Sequence, residues 1–181
     1  MKKALIVIDL QNDYFCGGNM ELSNIDEALK KTNALIRFAR EKKYKIYFIQ
    51  HFSVRDDAAF FVKDSEGVKL YKELNIQNEM VIKKNYPNSF KDTTLKKELE
   101  KENVKSLLIC GAMTHMCIDS TVRAGFDLGY EVTLAHDACA TRDLYFKDEL
   151  IKAKDVHNGF LSALGSVFCE LKDTNDIIIQ T

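Results

Sequence analysis

Short apolar segments rich in β-branched residues recur along the chain, and longer amphipathic segments separate them. These apolar runs are too short for helices, and they are typical of strands that are buried on both faces. The pattern predicts five strands, together with a sixth at Val167–Leu171 or Ile177–Ile179; the five are Ala4–Ile8, Ile46–Ile49, Met80–Ile82, Leu107–Cys110 and Val132–Ala135.

The segments between the apolar runs have the periodicity of amphipathic helices. They predict helices at Ile25–Glu41, after a cap at Ser23, and at Leu95–Glu102, Ile118–Leu128 and Asp148–Leu164. Parallel strands need helical crossovers, so this alternation predicts an α/β fold with a mostly parallel sheet that is covered by helices on both sides.

The 181 residues, 46% of them hydrophobic, are enough to bury one sizeable core, so we expect a single domain over residues 1–181. The least regular part is Phe52–Gln77, where only Val68–Leu74 has helical character. Long connections of this kind are often functional, and we predict that Phe52–Gln77 is a lid or an interface excursion.

The charge balance and the cysteine content limit which binding partners and which cellular compartment we expect. The chain has 26 basic and 27 acidic side chains, and this balance argues against nucleic acid or an anionic membrane as a partner. The first apolar run is interrupted by Asp9 and is too short for a signal peptide or a membrane span. The five cysteines lack the close pairs of a zinc ribbon or redox motif, so we expect free thiols and a cytoplasmic protein.

Three reactive side chains directly follow predicted strands, namely Asp9, Lys84 and Cys117. Ligands of open parallel sheets bind beyond the carboxyl ends of the strands, so one sheet edge can bring all three together. Each also has a structural interpretation, as a turn cap, a solvated lysine or an inert buried thiol. Cys117, however, directly precedes the helix predicted at Ile118–Leu128. We expect the helix terminus and the charge of Lys84 to lower the pKa of its thiol.

Several segments resemble those of isochorismatase-like hydrolases. Ala4–Asp13 is similar to the opening of that family, Lys84–Phe90 to its lysine motif and Gly111–Ile118 to its nucleophile turn, and the three occur in family order. The similarity continues through Thr121–Tyr130 and Asp137–Ala138. This resemblance implies a flavodoxin-like, doubly wound three-layer α/β/α fold, a Cys/Asp/Lys triad, and a homodimer or larger assembly.

The resemblance also implies a mechanism. Asp9 would accept the thiol proton of Cys117 while Lys84 holds the carboxylate, and the sulfur would attack a carbonyl to give a thioester. The backbone N–H groups of Met113 and Cys117 would form the oxyanion hole, and we expect a non-proline cis peptide at Ala112–Met113. The expected activity is cleavage of a carbon–nitrogen bond, other than a peptide bond, in a small-molecule amide.

Nicotinamidases of this superfamily also hold a metal through an Asp-x-His pair after the second strand and a later histidine. Here the second strand is followed by Gln50-His51-Phe52-Ser53, and the next histidine is His115, so we expect no metal and no cofactor. The histidines and aromatic residues of the motif loops either line the substrate pocket or brace and pack the fold; these residues are Phe15, His51, Tyr86, Phe90 and His115.

Other functions remain open at this point. Isochorismatase itself cleaves a vinyl ether and does not rely on a nucleophilic cysteine. A non-catalytic flavodoxin-like binding module, a nucleophilic Cys16, and a degenerate hydrolase fold retained for assembly are further alternatives. The metal-free pattern looks more like the general amidases of the superfamily, including streptothricin-hydrolase-like members, than like nicotinamidases.

Overall fold

A six-stranded parallel sheet forms the centre of the protein. The computed structural model describes residues 1–55 and 57–179. The sheet strands are β1 Lys2–Ile8, β2 Lys45–His51, β3 Met80–Lys84, β4 Val104–Ala112, β5 Glu131–Ala140 and β8 Glu170–Lys172. They lie in the order β3-β2-β1-β4-β5-β8, and every neighbouring pair is parallel. Two further strands form a small antiparallel hairpin, β6 Leu144–Phe146 and β7 Glu149–Ile151.

Helices cover both faces of this sheet. They are α1 Ile25–Glu41, α2 Leu95–Lys101, α3 Asp119–Asp127, α4 Ala153–Val167 and α5 Thr174–Ile179. One core cluster contains side chains of α1 and α5, and the other contains side chains of α2, α3 and α4. The predicted three-layer α/β/α fold is confirmed. Within the described residues, no helix has the length and apolar character that a bilayer span requires.

The central strand explains why the first apolar run is continuous. Leu5 and Val7 of β1 belong to one core cluster, whereas Ala4, Ile6 and Ile8 belong to the other. All five are at most 1% exposed. Each fully buried Leu, Ile or Val side chain contributes about 1.5–3 kcal/mol through apolar burial. Apolar residues on both faces therefore fix this strand at the centre of the sheet.

The strand order places a switch point in the middle of the sheet. Counting only the six sheet strands, the order is 3-2-1-4-5-6, which is that of doubly wound sheets and differs from the 2-1-3-4-5 order of flavodoxin itself. The crossovers change direction between β1 and β4, which are neighbours in the sheet. In folds of this type the ligand crevice lies beyond the carboxyl ends of the strands at that point.

The sixth strand differs from both predicted segments. It is Glu170–Lys172 at the edge of the sheet, whereas Val167 ends α4 and Ile177–Ile179 lies in α5. An edge strand has one open side and needs no continuous apolar run. Helix α5 starts where the N–H of Thr174 donates to the Asp137 carboxylate at 2.8 Å, a contact between residues distant in sequence.

The last long helix begins later than predicted. The predicted start of Asp148–Leu164 is taken by the β6–β7 hairpin, and the helix begins at Ala153, whose N–H donates to the carboxylate of Asp143 at 2.7 Å. The predicted side-chain cap at Ser23 is also wrong. The N–H of Ser23 donates to the backbone carbonyl of Thr141 at 2.8 Å, and no side chain caps α1.

The connection between β2 and β3 contains turns instead of the helical patch predicted at Val68–Leu74. Asp13, only 2% exposed, fixes this connection to the rest of the fold. Its carboxylate accepts a hydrogen bond from the N–H of Phe61 at 2.7 Å, and its N–H donates to the Gly67 carbonyl at 3.0 Å. A Cβ atom at Gly67 would lie 2.1 Å from the same carboxylate, so any other residue there would displace the Asp13 side chain from this position.

Replacing Asp13 with alanine should loosen this connection while the sheet stays intact. The variant leaves the buried N–H of Phe61 without its acceptor, and the loss should lower the free energy of unfolding by about 1–3 kcal/mol. Hydrogen exchange should speed up in residues 57–77 and stay unchanged in β1 and β4. The exposed Asp127→Ala variant is the control, and equal exchange in both variants would contradict this role of Asp13.

Candidate active site

Four reactive side chains meet at the carboxyl edge of the sheet. Asp9 directly follows β1, while His51 and Lys84 are the last residues of β2 and β3. Cys117 lies in a π-helical turn, Thr114–Ile118, that follows β4 and leads into α3. The predicted gathering of Asp9, Lys84 and Cys117 at one edge is therefore observed, and it lies at the switch point of the sheet.

Asp9 and Lys84 form a fully buried ion pair. Lys84 Nζ lies 2.8 Å from Asp9 Oδ2, and both side chains are 0% exposed. Burial raises the pKa of Asp9, and the opposing charge of Lys84 is the main reason why the pKa is lowered overall. Burial lowers the pKa of Lys84, but its attraction to Asp9 outweighs this, so the pKa is raised. Both groups are therefore charged near neutral pH.

The backbone at Asp9 and at Gly111 brings β1 and β4 close together. Asp9 has a left-handed φ of 53°, which aspartate tolerates better than most residues, and its N–H still donates to the Ile49 carbonyl at 3.0 Å. Gly111 has φ 121°, and a Cβ atom there would lie 2.0 Å from the Ile8 carbonyl oxygen. Only glycine fits at position 111, so this residue permits the close approach on which the site depends.

Further contacts fix the ammonium group of Lys84. It lies 3.1 Å from Nδ1 of His51, and it donates to the carbonyls of Tyr86 and Pro87 at 3.1 and 3.2 Å. Because an ammonium group can only donate, Nδ1 of His51 is the acceptor in this contact. His51 is thus part of the charged cluster itself.

Cys117 lies beside this cluster in a nearly dry environment. The residue is 3% exposed, and its Sγ is 3.8 Å from His51 Nδ1. Burial and the negative charge of Asp9 raise the pKa of the thiol, and the opposing effect of Lys84 does not compensate. The expected lowering of this pKa is therefore wrong. Desolvation, which depends on tertiary burial, outweighs the helix terminus and the lysine charge, and the resting sulfur is protonated.

The turn before Cys117 contains the expected cis peptide at Ala112–Met113. The carbonyl of Met113 accepts hydrogen bonds from the N–H groups of Met116 and Ile118 at 3.0 and 3.2 Å. These contacts close the π-helical turn and hold the sulfur next to Asp9. The use of the Met113 and Cys117 N–H groups as an oxyanion hole stays a prediction.

A cavity of about 450 Å³ opens next to the cluster. His51 and Tyr86 line it, together with Ser53, Pro87 and residues of the β2–β3 connection. These two are predicted pocket residues. The other two predicted aromatic residues contact neighbouring rings: the ring centroids of Phe15 and Tyr71 are 3.6 Å apart, and those of Phe90 and Tyr130 are 6.0 Å apart. Their predicted place in the substrate pocket stays a prediction.

His115, another predicted pocket residue, braces the nucleophile turn. Its Nδ1 lies 2.6 Å from the hydroxyl of Thr141, beyond the end of β5. Burial and the nearby positive charge of Arg142 lower the pKa of His115 to about 4, so the ring is neutral at pH 7. In the same way His157 contacts the hydroxyl of Thr114 at 2.9 Å. Two histidines thus tie the turn to neighbouring elements.

Sequence reasoning missed Gln11, Tyr14 and Arg142. The side chain of Gln11 accepts from the N–H of His51 at 2.7 Å and donates to its carbonyl at 2.9 Å, which fixes the end of β2. Burial raises the pKa of Tyr14 well above its ordinary value, with a further contribution from Cys117 and Asp9. Nε of Arg142 is buried and has no hydrogen-bond partner in residues 1–55 and 57–179. Of these three residues, only Gln11 could have been noticed in the sequence, because it lies two residues after Asp9.

Among residues 1–55 and 57–179, the histidines other than His51 contact groups outside the Asp9–Lys84–Cys117 cluster. His115 contacts Thr141, His157 contacts Thr114, and Nε2 of His136 is 3.7 Å from the carboxylate of Asp173. These histidines are all engaged away from His51. In the described part of the chain, the three side chains close enough together to bind one metal ion are Asp9, His51 and Cys117. This ligand set differs from the Asp-x-His pair and later histidine of nicotinamidases.

Comparison with known proteins shows which family this chain resembles in sequence and in fold. Residues 3–161 match the model of the isochorismatase domain. The uncharacterized isochorismatase family protein YddQ of Bacillus subtilis is 40% identical over 175 residues, which cover 96% of this chain and 97% of YddQ. A crystal structure of an isochorismatase-type hydrolase from Oleispira antarctica has a TM-score of 0.93 and 40% identity, and covers 98% of this chain and 96% of its own.

Several of the matched relatives are named for an activity. A streptothricin hydrolase of Streptomyces noursei is 29% identical over 143 residues, and the match covers 78% of this chain but 51% of that protein. Nicotinamidase 3 of Arabidopsis thaliana is 29% identical over 164 residues, with 83% of this chain and 77% of that protein covered. The domain match over most of the chain, the full-length relative and the shared fold show that this protein belongs to the isochorismatase family of hydrolases.

Proposed function

We propose that this protein is a cysteine hydrolase that cleaves the carbon–nitrogen bond of a small-molecule amide, with Asp9, Lys84 and Cys117 as the catalytic residues. The observation that carries the proposal is the buried Asp9–Lys84 ion pair next to the Cys117 thiol. A buried pair of this kind needs a reason to persist, because apolar residues of similar volume often give equal stability. The names of the streptothricin hydrolase and the nicotinamidase, both amide-cleaving relatives, support the same chemistry.

The first step follows from the protonation states. Because burial keeps the Cys117 thiol protonated, the sulfur needs a base at the moment of attack, and the Asp9 carboxylate is that base. The thiol proton moves to Asp9 while the sulfur bonds to the substrate carbonyl carbon. Lys84 keeps Asp9 ionised until then, and it balances the charge of the forming thiolate.

The remaining steps return the site to its starting state. The N–H groups of Met113 and Cys117 are proposed to hold the oxyanion, and donors of this kind contribute about 3–4 kcal/mol each to transition-state stabilisation. Protonated Asp9 then gives its proton to the departing nitrogen, and the C–N bond breaks. Water attacks the thioester and gives its proton to Asp9, and the acid leaves as the sulfur takes that proton back.

The alternatives have less support from the site. A vinyl ether hydrolase of the isochorismatase type has no use for a thiol next to a buried carboxylate. Cys16 is exposed and, in the described residues, has no contact with the Asp9–Lys84 pair. The non-catalytic binding module has a phosphoreceiver as its example, and a phosphoreceiver would need an acidic residue at the end of β3, where this chain has Lys84.

Ammonia or amine release from a panel of small amides tests the proposal. The wild type should hydrolyse at least one class of amide, and Cys117→Ala should lower kcat/KM for it by about 10⁴-fold or more. Asp9→Asn, which keeps the volume and tolerates the left-handed backbone, should cause a similar loss. Cys16→Ser is the matched control and should keep full activity. An active Cys117→Ala variant would overturn the assignment of the nucleophile.

The pH dependence of alkylation tests the electrostatics of the triad. Asp9 raises and Lys84 lowers the pKa of Cys117, so their removal should have opposite effects. Labelling of Cys117 by iodoacetamide should shift to lower pH in Asp9→Asn and to higher pH in Lys84→Met, each by about one pH unit or more.

Mass spectrometry of the alkylated peptides measures these shifts, with the exposed Cys16 as an internal reference. Lys83→Met, which removes the exposed neighbour of Lys84 on the same strand, should leave the Cys117 profile unchanged. If labelling of Cys117 shifted in the same pH direction in Asp9→Asn and in Lys84→Met, the opposite effects proposed for these two charges on the thiol pKa would be contradicted.

A further inference from the structure

Three donor atoms of different chemistry converge at the ends of β1, β2 and β4. Asp9, His51 and Cys117 offer a carboxylate oxygen, an imidazole nitrogen and a sulfur, all within 4.8 Å of one another. The contacts His51 Nδ1–Asp9 Oδ2 and Cys117 Sγ–His51 Nδ1 both measure 3.8 Å. Zinc favours this combination of oxygen, nitrogen and sulfur ligands.

The spacing is close to that of a tetrahedral zinc site. Zinc–ligand bonds of about 2.0–2.3 Å imply a separation between ligand atoms of roughly 3.3–3.6 Å. The observed 3.8 Å for two of these pairs exceeds this only slightly. Rotation of the side chains by a small amount would therefore bring the three atoms to bonding distance of one ion.

The ammonium group of Lys84 touches two of these atoms. Its Nζ lies 2.8 Å from Oδ2 of Asp9 and 3.1 Å from Nδ1 of His51. A metal ion and this ammonium group would therefore compete for the same lone pairs. Oδ1 of Asp9 is buried without a hydrogen-bond partner in residues 1–55 and 57–179, so the carboxylate has a second oxygen that no protein group uses.

We propose that Asp9, His51 and Cys117 form an inhibitory site for a thiophilic divalent cation such as Zn²⁺, in competition with the Lys84 ammonium group. The inference goes beyond the proposed hydrolysis, because metal binding at this site needs no substrate. Since the sulfur would be a metal ligand, a bound ion would prevent its attack on a carbonyl. The ion is thus expected to block the enzyme and is not a cofactor.

The binding step exchanges one proton for the metal ion. Zn²⁺ bonds to the sulfur, and the thiol proton of Cys117 is released to solvent. The Asp9 carboxylate and the thiolate then carry two negative charges against the two of the ion and the one of Lys84, so the site gains one net positive charge. Lys84 keeps its proton and shifts toward the carbonyls of Tyr86 and Pro87, which already accept from it at 3.1 and 3.2 Å. Water completes the coordination.

Titration with Co²⁺ tests the site without any substrate. Cobalt substitutes for zinc, and a thiolate ligand gives a charge-transfer band in the near ultraviolet. We expect this band with the wild type, its loss in Cys117→Ser, and its reversal by Zn²⁺. Cys16→Ser controls for the exposed thiol and should keep the band. If amide hydrolysis is measurable, Zn²⁺ should abolish it and a chelator should restore it.

Variants of Lys84 separate this site from adventitious binding. Lys84→Met removes the competing charge, and the Kd for Co²⁺ should fall by about tenfold or more. His51→Asn, which removes one ligand, should weaken binding in both backgrounds, whereas Lys83→Met should leave the Kd unchanged.

Absence of a thiolate band in both the wild type and Lys84→Met would overturn the proposal. A band that survives Cys117→Ser and disappears in Cys16→Ser would also overturn it. Neither result bears on hydrolysis, and a failure to find an amide substrate leaves the cobalt titration intact. The two proposals therefore fail independently.

Discussion

The buried ion pair between Asp9 and Lys84 is the interaction on which the rest of the site depends. Asp9 directly follows β1 and Lys84 ends β3; these two strands are not neighbours, and β2 lies between them. The pair therefore spans three strands, and it meets His51 at the end of the middle one. Removing one partner of such a buried pair costs about 3–5 kcal/mol, because the other charge is left without compensation.

This ion pair also sets the chemistry of the sulfur. Burial and the negative charge of Asp9 raise the pKa of the Cys117 thiol, whereas the charge of Lys84 lowers it. Burial therefore keeps the thiol protonated, and in the proposed mechanism Asp9 takes its proton only when a carbonyl is in place to receive the sulfur. On this account the reactivity of Cys117 comes from the arrangement of its neighbours and not from a lowered thiol pKa.

Much of this architecture could be predicted from the sequence, since local patterns determine it. The apolar run before Asp9 is buried on both faces and so identifies a central strand, and the periodicity of α1 gives its bounds of Ile25–Glu41. Features that depend on distant contacts could not be predicted. The start of α4 is set by Asp143, and the pKa of Cys117 is set by the burial of the sulfur.

The site shows the same division. Asp9, Lys84 and Cys117 each follow an apolar run, so strand ends marked them as candidates, and the family resemblance favoured the catalytic over the structural interpretation. His51 also ends a strand, but its part in the charged cluster depends on its register beside Lys84 across the β2–β3 pair. Phe15 and Phe90 lie in motif loops, and their rings contact rings of residues distant in the sequence, which no sequence pattern predicts.

The central claim is that Cys117 forms a covalent thioester with its substrate. Acid quenching during turnover of a hydrolysed amide, followed by peptide mapping with mass spectrometry, tests it directly. The account predicts the acyl group of the substrate on the peptide that contains Cys117, and its disappearance as turnover ends. Turnover with no acyl adduct on this peptide, or with the adduct on Cys16, would contradict the account.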